Sequence, residues 1–302
     1  MQLNYLMHNW DDLRVFLAVA RHKTYEAAAV ALGLDATTIS RRISRLEQAL
    51  KCTLAARGPG GCALTAAGRQ LLESASTVEL ANERLMDQVG HSAGGGRVRI
   101  STSEGFGATI LAPAVPQLLK YKPTIEIEII ANAGFLSPAI REVDLAITLA
   151  VPNDKRLVVE RLTDYRLGLY ASQNYFSERA LPKRPDDLRQ HVLVGYVDDL
   201  LYANELRYLD EVLPDLNLAI SSSSIRAQLE IVRAGAGISV LPCFMADSAE
   251  PRLIRVLPQC VTITRTFWIS ARRDVRQTAR VRRVQSWIRE TIRKQLSLIL
   301  PN

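Results

Sequence analysis

The sequence contains little of what metal sites, disulfide frameworks and membrane spans require. Its four cysteines include no C-x-x-C pair, and none of its four histidines has the spacing of a metal-ligand motif such as H-x-x-x-H. No stretch approaches the roughly 20 uncharged apolar residues of a membrane span. The first ten residues lack a basic segment followed by an apolar run, so we expect no secretory signal, reduced thiols and a cytoplasmic location.

Catalytic signatures are also missing. The chain has no G-x-S-x-G elbow, no phosphate-binding P-loop and no G-x-G-x-x-G after a predicted strand. The glycine run at residues 94–96 precedes a strand pattern and is not followed by Lys and Ser or Thr, so it does not predict a phosphate cradle. The sequence therefore predicts no enzyme, no metal and no other cofactor.

The sequence does have an ordinary globular composition with a basic excess. Apolar residues make up 48% and charged residues 23% of the 302 residues, which is typical of a soluble protein of about two domains. The net charge of +7 suggests a polyanionic partner. Residues 265–302 carry ten basic and two acidic residues, but we interpret this tail as the solvated face of a terminal helix.

Helical periodicity dominates the first third of the chain. Residues 11–64 have apolar residues at helical spacing with short breaks, and residues 65–90 form one long helical pattern. Residues 91–96 are rich in glycine, which predicts a hinge. Short apolar runs then alternate with helical segments, as expected of an α/β region.

The long helical pattern carries a heptad seam. Its members recur at alternating steps of four and three residues: Leu71, Ala75, Val78, Asn82, Leu85 and Val89. Such a stripe needs a partner, which is either a second copy of this chain or a neighbouring domain of the same chain. We expect dimerisation, with Asn82 fixing the register at some cost in stability.

Two short helices joined by a glycine turn are predicted before the seam. Residues 24–32 form an alanine-rich helix that Gly33 ends, and Asp35 is a favoured N-cap for a second helix over residues 36–50. The apolar residues of the second helix share one face: Ile39, Ile43, Leu46 and Leu50. Two helices in this arrangement predict a helix-turn-helix.

The opposite face of the second helix has the side chains of a DNA major-groove reader. Thr37 is placed to reach base edges, and Thr38, on the flank, to contact a base or a phosphate. Arg41 and Arg45 can bind guanine through two hydrogen bonds or neutralise phosphates. The pattern alone fits equally well a helical hairpin with a solvated basic face.

Several segments of the chain closely resemble the LysR-type transcriptional regulators. In the first third they are residues 10–20 (WDDLRVFLAVA), 27–29, 32–33, 39–43 (ISRRI), 46–47 and 64–68 (LTAAG). In the remainder, residues 144–147 (DLAI) and 232–242 (VRAGAGISVLP) resemble a strand and a Gly-x-Gly-Ile-x-x-Leu-Pro signature of the family. The segments follow the order and spacing of the family over essentially the whole chain.

The resemblance implies an α/β chain with an N-terminal winged helix-turn-helix, a long linker helix and a C-terminal two-lobed effector domain similar to periplasmic binding proteins. The implied boundaries are residues 1–64 for the winged domain, 65–90 for the linker (dimerisation) helix, 91–96 for the hinge and 97–302 for the effector domain. The lobes would cover about residues 97–163 plus 266–302 and about residues 164–265. Such a regulator would bind double-stranded promoter DNA as a dimer or dimer of dimers (a homotetramer), respond to a small metabolite, and contact RNA polymerase if it is an activator.

The resemblance also adds Arg42 and Arg57 to the expected DNA contacts, the latter as the basic residue that remains beside the wing. Residues 35–37 read Asp-Ala-Thr where the family commonly has Ser-Gln-Pro. A frequent base-contacting glutamine is thereby lost, which predicts an unusual DNA sequence preference. The wing itself, residues 58–62, lacks the usual basic residues, so we expect a shallow salt dependence.

Two hydroxyl-rich junctions between predicted strands and helices indicate a ligand site. The resemblance places Ser101, Thr102 and Ser103 in the effector cleft, and Ser223 and Ser224 precede a helical stretch. Free amides and hydroxyls at helix starts suit a carboxylate, so an anionic metabolite is the first candidate. The alternative is that Ser103 and Ser224 are plain N-caps.

Two further positions bear on the effector. One of them is Phe135, which with Tyr196 is a candidate aromatic wall, although we favour core packing for both. Thr148 follows the Asp-Leu-Ala-Ile segment where relatives commonly have arginine. The loss of that arginine leaves the charge of the effector open.

Cysteine chemistry offers a different kind of regulator. Cys243 and Cys260 lie 17 positions apart, and a thiol pair can switch a protein. Cys243 lies in an apolar segment, however, and we interpret both as buried structural thiols.

Overall fold

The computed structural model describes residues 9–58, 61–88, 95–121, 124–131, 137–140 and 142–301. The chain divides into two units, residues 1–92 and 93–302. No described helix is long and apolar enough to cross a membrane. The same residues contain no group of three His, Cys, Asp or Glu side chains placed to hold a metal ion.

The first unit consists of helices and one hairpin. Its described elements are α1 (Trp10–His22), α2 (Tyr25–Leu32), α3 (Ala36–Leu50), β1 (Ala55–Gly58), β2 (Gly61–Leu64) and α4 (Ala66–Gln88). Helices α1, α2 and α3 surround one apolar core, which includes Val15, Phe16, Val19, Ala28, Ala29, Ile39, Ile43, Leu46 and Leu54. The small side chains of Ala28 and Ala29 allow α2 to approach its neighbours closely.

The ends of α2 and α3 follow from capping residues. Thr24 Oγ1 accepts a hydrogen bond from the Ala27 amide (3.1 Å) at the start of α2. Gly33 ends α2 in the left-handed conformation (φ 64°), which glycine adopts at little cost. Asp35 caps α3 by accepting from the Thr38 amide at 2.7 Å. Both helices therefore have the extents predicted from the sequence to within one residue.

The hairpin packs against the start of α4. Strands β1 and β2 form an antiparallel pair, the wing. Thr65 caps α4, since its hydroxyl oxygen accepts from the Gly68 amide at 3.0 Å. A Cβ atom on Gly68 would overlap the carbonyl oxygen of Leu54, so glycine is needed where α4 passes the wing.

The second unit alternates strands and helices. Its described elements are β3 (Gly96–Thr102), α5 (Glu104–Phe106), α6 (Val115–Tyr121), β4 (Ile125–Ala131), β5 (Leu145–Thr148), β6 (Leu157–Ala171), β7 (Leu193–Gly195), α7 (Tyr208–Val212), β8 (Ile220–Ser221), α8 (Ile225–Arg233), β9 (Ile238–Pro242), α9 (Cys243–Ala246), β10 (Ile254–Val256), β11 (Ile263–Arg272), α10 (Arg273–Arg276), α11 (Ala279–Lys294) and α12 (Leu296–Ile299). This alternation is that of an α/β fold.

The strands of the second unit form one mixed sheet. Their order is β4-β3-β5-β11-β6-β9-β7-β8, and β10 also pairs with β6. Strand β3 runs parallel to β4 and β5, while β7 runs parallel to β8 and β9. The long antiparallel strands β6 and β11 lie between these two parallel groups. The α/β fold class predicted from the sequence is confirmed.

Strand β6 is longer than the sequence suggested. The apolar run at residues 167–171 predicts a short strand, but β6 begins at Leu157. Its first half carries charged residues that contact other elements: Arg276 of α10 binds Glu160, and Arg289 of α11 binds the same carboxylate at 2.6 Å. Because these partners lie more than 100 positions away, hydrophobic periodicity does not reveal this half of the strand.

Candidate DNA-binding helix and effector cleft

The start of α3 presents two hydroxyl groups held by one carboxylate. Asp35 accepts from the hydroxyls of Thr37 and Thr38, the second at 2.8 Å, and from the Thr38 amide. The Thr37 bond, followed by the two Thr38 bonds, lowers the pKa of Asp35 well below its usual range. Since the Thr37 hydroxyl proton is directed to Asp35, the exposed Thr37 oxygen is left as an acceptor.

The arginines predicted for the α3 face have different surroundings. Arg45 donates two hydrogen bonds to the buried carboxylate of Asp12, one of them at 2.6 Å, and Arg42 lies 3.4 Å from Asp11. Arg41 is exposed and makes no hydrogen bond or ion pair with the part of the chain that the structure describes. The guanidinium of Arg45 thus links α3 to α1 while its side chain stays 55% exposed, so its DNA contact stays a prediction.

The wing is fixed to the end of α3 by Glu47. Its carboxylate accepts from the amides of Leu54 (2.7 Å) and Ala55 (3.3 Å). Sequence reasoning matched Glu47 to a family motif without giving it a role, because its backbone partners lie beyond the helix. The side chain of Arg57 lies outside the described residues, so its phosphate contact stays a prediction.

The seam on α4 is divided between the core of its own unit and the surface. Ala75 is buried within the single chain, which contradicts its predicted place in a dimer seam. Leu71 packs, half-buried, against the core of the first unit, and its contact with a second chain stays a prediction. Val78 is 48% exposed and Asn82 is exposed. The other predicted seam residues lie outside the described part of the structure: Leu85, through its side chain, and Val89.

The second unit contains a cleft where the two parallel strand groups present their carboxyl ends. Five strands contribute lining residues at or just after their ends: Ser103 (β3), Leu149 (β5), Tyr196 (β7), Ser223 (β8) and Pro242 (β9). Ligands of α/β folds bind at such strand ends. The free space between these residues is about 20 Å³, room for about one water molecule, so a larger ligand must move the walls apart.

Aromatic side chains form much of the wall of the cleft. Six of the rings are those of Phe106, Tyr196, Tyr202, Tyr208, Phe244 and Phe267. Tyr165, a further wall residue, stacks on Phe267 with ring centroids 4.2 Å apart. Burial raises the pKa of Tyr202 to about 12, so its hydroxyl stays neutral. Sequence reasoning considered only Tyr196 among these residues, because the others come from distant segments with no shared motif.

Only part of the predicted effector set lines the cleft. Ser103 and Ser223 do so, and the side chain of Ser103 makes no capping hydrogen bond. Ser101 and Thr102 are fully buried in β3, and Thr148 donates its hydroxyl to a backbone carbonyl two residues further on (2.7 Å). None of these three residues is among the described lining residues of the cleft, so their contact with an effector stays a prediction.

Ser224 joins the wall of the cleft to the start of α8. Its Oγ accepts from the Ala227 amide (3.1 Å) as an N-cap and donates to Oε1 of Glu104 (2.9 Å). Glu104, which the sequence analysis did not select, is half-buried and is the one charged residue among the described cleft-lining residues. Phe135 lies outside the described residues, so its role as a wall stays a prediction.

A helix-turn-helix with a wing and an α/β unit with a ligand cleft, present in one chain, define a DNA-binding regulator that responds to a small molecule. Two family models match the chain. One is the bacterial regulatory helix-turn-helix protein, lysR family, over residues 10–69, and the other is the LysR substrate binding domain, over residues 91–293. The chain belongs to the LysR family of transcriptional regulators.

Individual relatives agree with the family models. The chain is similar to the Mau operon transcriptional activator of Paracoccus denitrificans, with 28% identity over 295 residues, 96% of this chain and 98% of that protein. It also resembles the regulator PgrR of Escherichia coli, with 27% identity over 82% of this chain and 85% of that protein. These relatives are named as regulators of transcription, and this chain is a regulator rather than an enzyme.

Solved structures share the fold over nearly the whole chain. Full-length OxyR C199D from Pseudomonas aeruginosa has a TM-score of 0.68 and 18% identity, covering 94% of this chain and 97% of that chain. CrgA from Neisseria meningitidis, a LysR-type transcriptional regulator, has a TM-score of 0.59 and 22% identity, covering 94% and 99%. The predicted combination of an N-terminal helix-turn-helix and a C-terminal effector domain is thus confirmed.

Proposed function

We propose that this LysR-type regulator reads promoter DNA with the exposed start of α3, and that an effector in the cleft changes promoter binding or activation. The residues proposed to contact DNA are Thr37, Thr38 and Arg41, with Arg57 on the wing. Residues 1–64 would form the winged domain, 65–90 the linker helix, 91–96 the hinge and 97–302 the effector domain. Because the DNA target is chromosomal, the protein would work in the cytoplasm.

The observation that carries the proposal is the difference between Arg41 and its neighbours. Arg42 and Arg45 are engaged by carboxylates of α1, whereas Arg41 is exposed without a partner among the described residues. Arg41 lies one helical turn after Thr37 on the same face. It can therefore bind a guanine or a phosphate without first breaking an ion pair.

The proposed dimer uses the exposed part of the α4 seam. Val78 and Asn82, together with Leu85 and Val89, would pair α4 with its copy in a second chain. A dimer places two recognition helices at half-sites one or more helical turns apart. Two dimers would then form the tetramer, and an activating complex would also contact RNA polymerase.

The experiment that tests the proposed function is a selection from genomic DNA. Purified full-length protein is mixed with sheared DNA of its own organism at near-physiological salt, and the retained fragments are sequenced. We expect a few upstream regions that share a partly palindromic site. Uniform retention of all fragments, or retention of none, would contradict the proposal.

A further inference from the structure

The charge of the cleft is the opposite of what an anionic effector requires. Among the described lining residues, Glu104 carries the one charged side chain, and there is no Lys, Arg or His. A carboxylate ligand placed there would lie close to the Glu104 carboxylate, and none of the described lining residues offers a basic group to compensate for its lost hydration. A cation placed there would find a counter-ion already in position.

Glu104 also occupies the place where an anion would be expected to bind. Its Oε1 accepts from the hydroxyl of Ser224, the N-cap of α8. The start of a helix favours a negative charge because its first amides are not bonded within the helix. Here the protein supplies that negative charge from its own chain, and an anionic effector would have to displace it.

The surroundings of Glu104 favour an organic cation over a metal ion. The rings of Tyr196 and Tyr202 line the same cleft, and aromatic faces attract ammonium groups. The negative charge of Glu104 contributes to the raised pKa values of both tyrosines, after burial and, for Tyr196, the neighbouring tyrosines. Its field therefore reaches the rings that a ligand would touch.

A neighbouring cavity extends the same charge pattern. This cavity shares Tyr196, Leu206 and Tyr208 with the cleft. Its lining includes Asp198, Asp210 and one guanidinium, that of Arg207, which pairs with both carboxylates. Across the two spaces, the described lining residues carry three carboxylates and one arginine.

One arginine lies close to these walls but does not reverse their charge. The guanidinium of Arg265 lies 5.8 Å from the centre of the Tyr208 ring. It binds the carboxylate of Glu211 and the backbone carbonyl of Glu205. Its positive charge is therefore balanced within the chain.

We propose that the cleft binds a small organic cation, an alkylammonium or quaternary ammonium group, with Glu104 as its counter-ion and the tyrosine rings as its walls. This inference rests on the proposed function, in which the cleft is the effector site. It replaces the anionic effector that the hydroxyl-rich junctions suggested. The hydroxyls of Ser103 and Ser223 would then bind polar groups elsewhere on the ligand.

The test compares ligands that differ only in charge. Full-length protein is titrated calorimetrically with methylammonium, tetramethylammonium and choline. The neutral and anionic isosteres of choline, 3,3-dimethylbutan-1-ol and 3,3-dimethylbutanoate, are titrated in parallel. We expect at least one of the cations to bind, with choline favoured over its neutral isostere by about tenfold or more and the anion binding more weakly than either.

Three variants locate the effect. Glu104→Gln keeps an acceptor for Ser224, and we expect it to remove the preference for the cation while leaving the neutral alcohol unaffected. Tyr196→Leu should weaken binding of the cation more than binding of the alcohol. Glu178→Gln, at an exposed site outside the cleft lining, is the matched control and should leave all affinities unchanged.

The outcomes separate this inference from the proposed function. If no cation binds more tightly than the uncharged or anionic probes, or if Glu104→Gln keeps the preference, the cation proposal is overturned. If 3,3-dimethylbutanoate binds and Glu104→Gln strengthens its binding, the cleft binds anions and the proposed cationic ligand class is wrong. The selection from genomic DNA with the same protein stock reports separately on whether the regulator itself reads DNA.

Discussion

On α3, residues that look alike in sequence differ in what they can do. Thr37 and Thr38 direct their hydroxyl protons to Asp35, which leaves the Thr37 oxygen as an acceptor. In the major groove, exocyclic amino groups of adenine and cytosine are the donors that such an oxygen can meet. Arg41, one turn later, is a donor suited to guanine. The recognition face therefore offers acceptors at its start and a donor further along.

Replacing Arg41 with alanine tests this division directly. We expect Arg41→Ala to weaken binding to a selected promoter fragment by roughly 5- to 150-fold, because a good two-bond contact to guanine is lost. Fluorescence anisotropy of labelled DNA gives the Kd. Lys155→Ala removes a positive charge from an exposed loop of the second unit and serves as control. If the two substitutions raised the Kd equally, DNA binding would depend only on the total charge of the protein.

The thiols give a second prediction at this scale. Burial raises the pKa of Cys243, whereas Cys260 is exposed, so the prediction that both thiols are buried is wrong for Cys260. A raised pKa reduces the fraction of thiolate, the reactive form, at neutral pH. Alkylation with iodoacetamide at pH 7.5, followed by peptide mass spectrometry, should label Cys260 and leave Cys243 unmodified in the native protein. Rapid labelling of Cys243 would revive the redox interpretation.

At the scale of elements, one part of α4 packs on its own unit and another part stays exposed. Its first turns pack on the core of their own unit, and Arg21 of α1 binds Glu79 further along. Val78 remains on the surface. A heptad pattern reveals that a helix has an apolar stripe, but not which molecule covers each part of that stripe.

The exposed part of the seam predicts the effect of Val78→Asp. A carboxylate placed opposite its copy should be repelled and poorly hydrated in an interface, so we expect a shift from dimer toward monomer. Sedimentation velocity at micromolar concentration measures the shift. Thr77→Asp is the matched control, because Thr77 is exposed and lies about 100° around the helix from Val78. An unchanged dimer in Val78→Asp would rule out the proposed interface.

For Gly68→Ala we predict an effect on stability opposite to the one that helix propensity alone would give. Inside a helix, replacing glycine with alanine normally stabilises by up to about 1 kcal/mol. Here the added methyl group would meet the carbonyl of Leu54, and we expect Gly68→Ala to destabilise the first unit by about 1–3 kcal/mol. Hydrogen exchange of the α1 and α3 amides reports the opening free energy of this unit. Ser74→Ala, on the exposed side of α4, should show no such loss.

The local parts of this fold could be predicted from the sequence. Gly33 and Asp35 determine where α2 ends and α3 begins, and the apolar face of α3 follows from its periodicity. Interactions across the chain could not be predicted in this way. Asp12 and Arg45 lie 33 positions apart, and no local pattern shows that they will bind each other.

The lining of the cleft was even harder to predict from the sequence. Hydroxyl-rich strand ends predicted its position, and Ser103 and Ser223 line it. Neighbouring hydroxyls differ in burial and position, since Ser101 and Thr102 are fully buried in β3 whereas Ser103 lines the cleft. Glu104 was missed because a single carboxylate has no motif. Its proposed role as a counter-ion follows from the tyrosines and the start of α8 around it.

At the scale of the whole molecule, the regulator must couple a ligand in one unit to DNA bound by the other. An effector can shift DNA binding only if its affinity differs between two arrangements of the protein. The Glu104–Ser224 bond lies in the cleft wall and links the segment after β3 to the start of α8. A cation bound at Glu104 would change this bond, which gives the ligand a physical means of favouring one arrangement.

The central claim is that two copies of α3 read DNA together, and hydroxyl-radical footprinting of a selected promoter fragment tests it most directly. The account predicts two protected patches whose centres are separated by one or more helical turns, about 10–10.5 base pairs each. Both patches should fade in Arg41→Ala while the protein remains a dimer. A single protected patch, or protection unchanged by Arg41→Ala, would contradict the account.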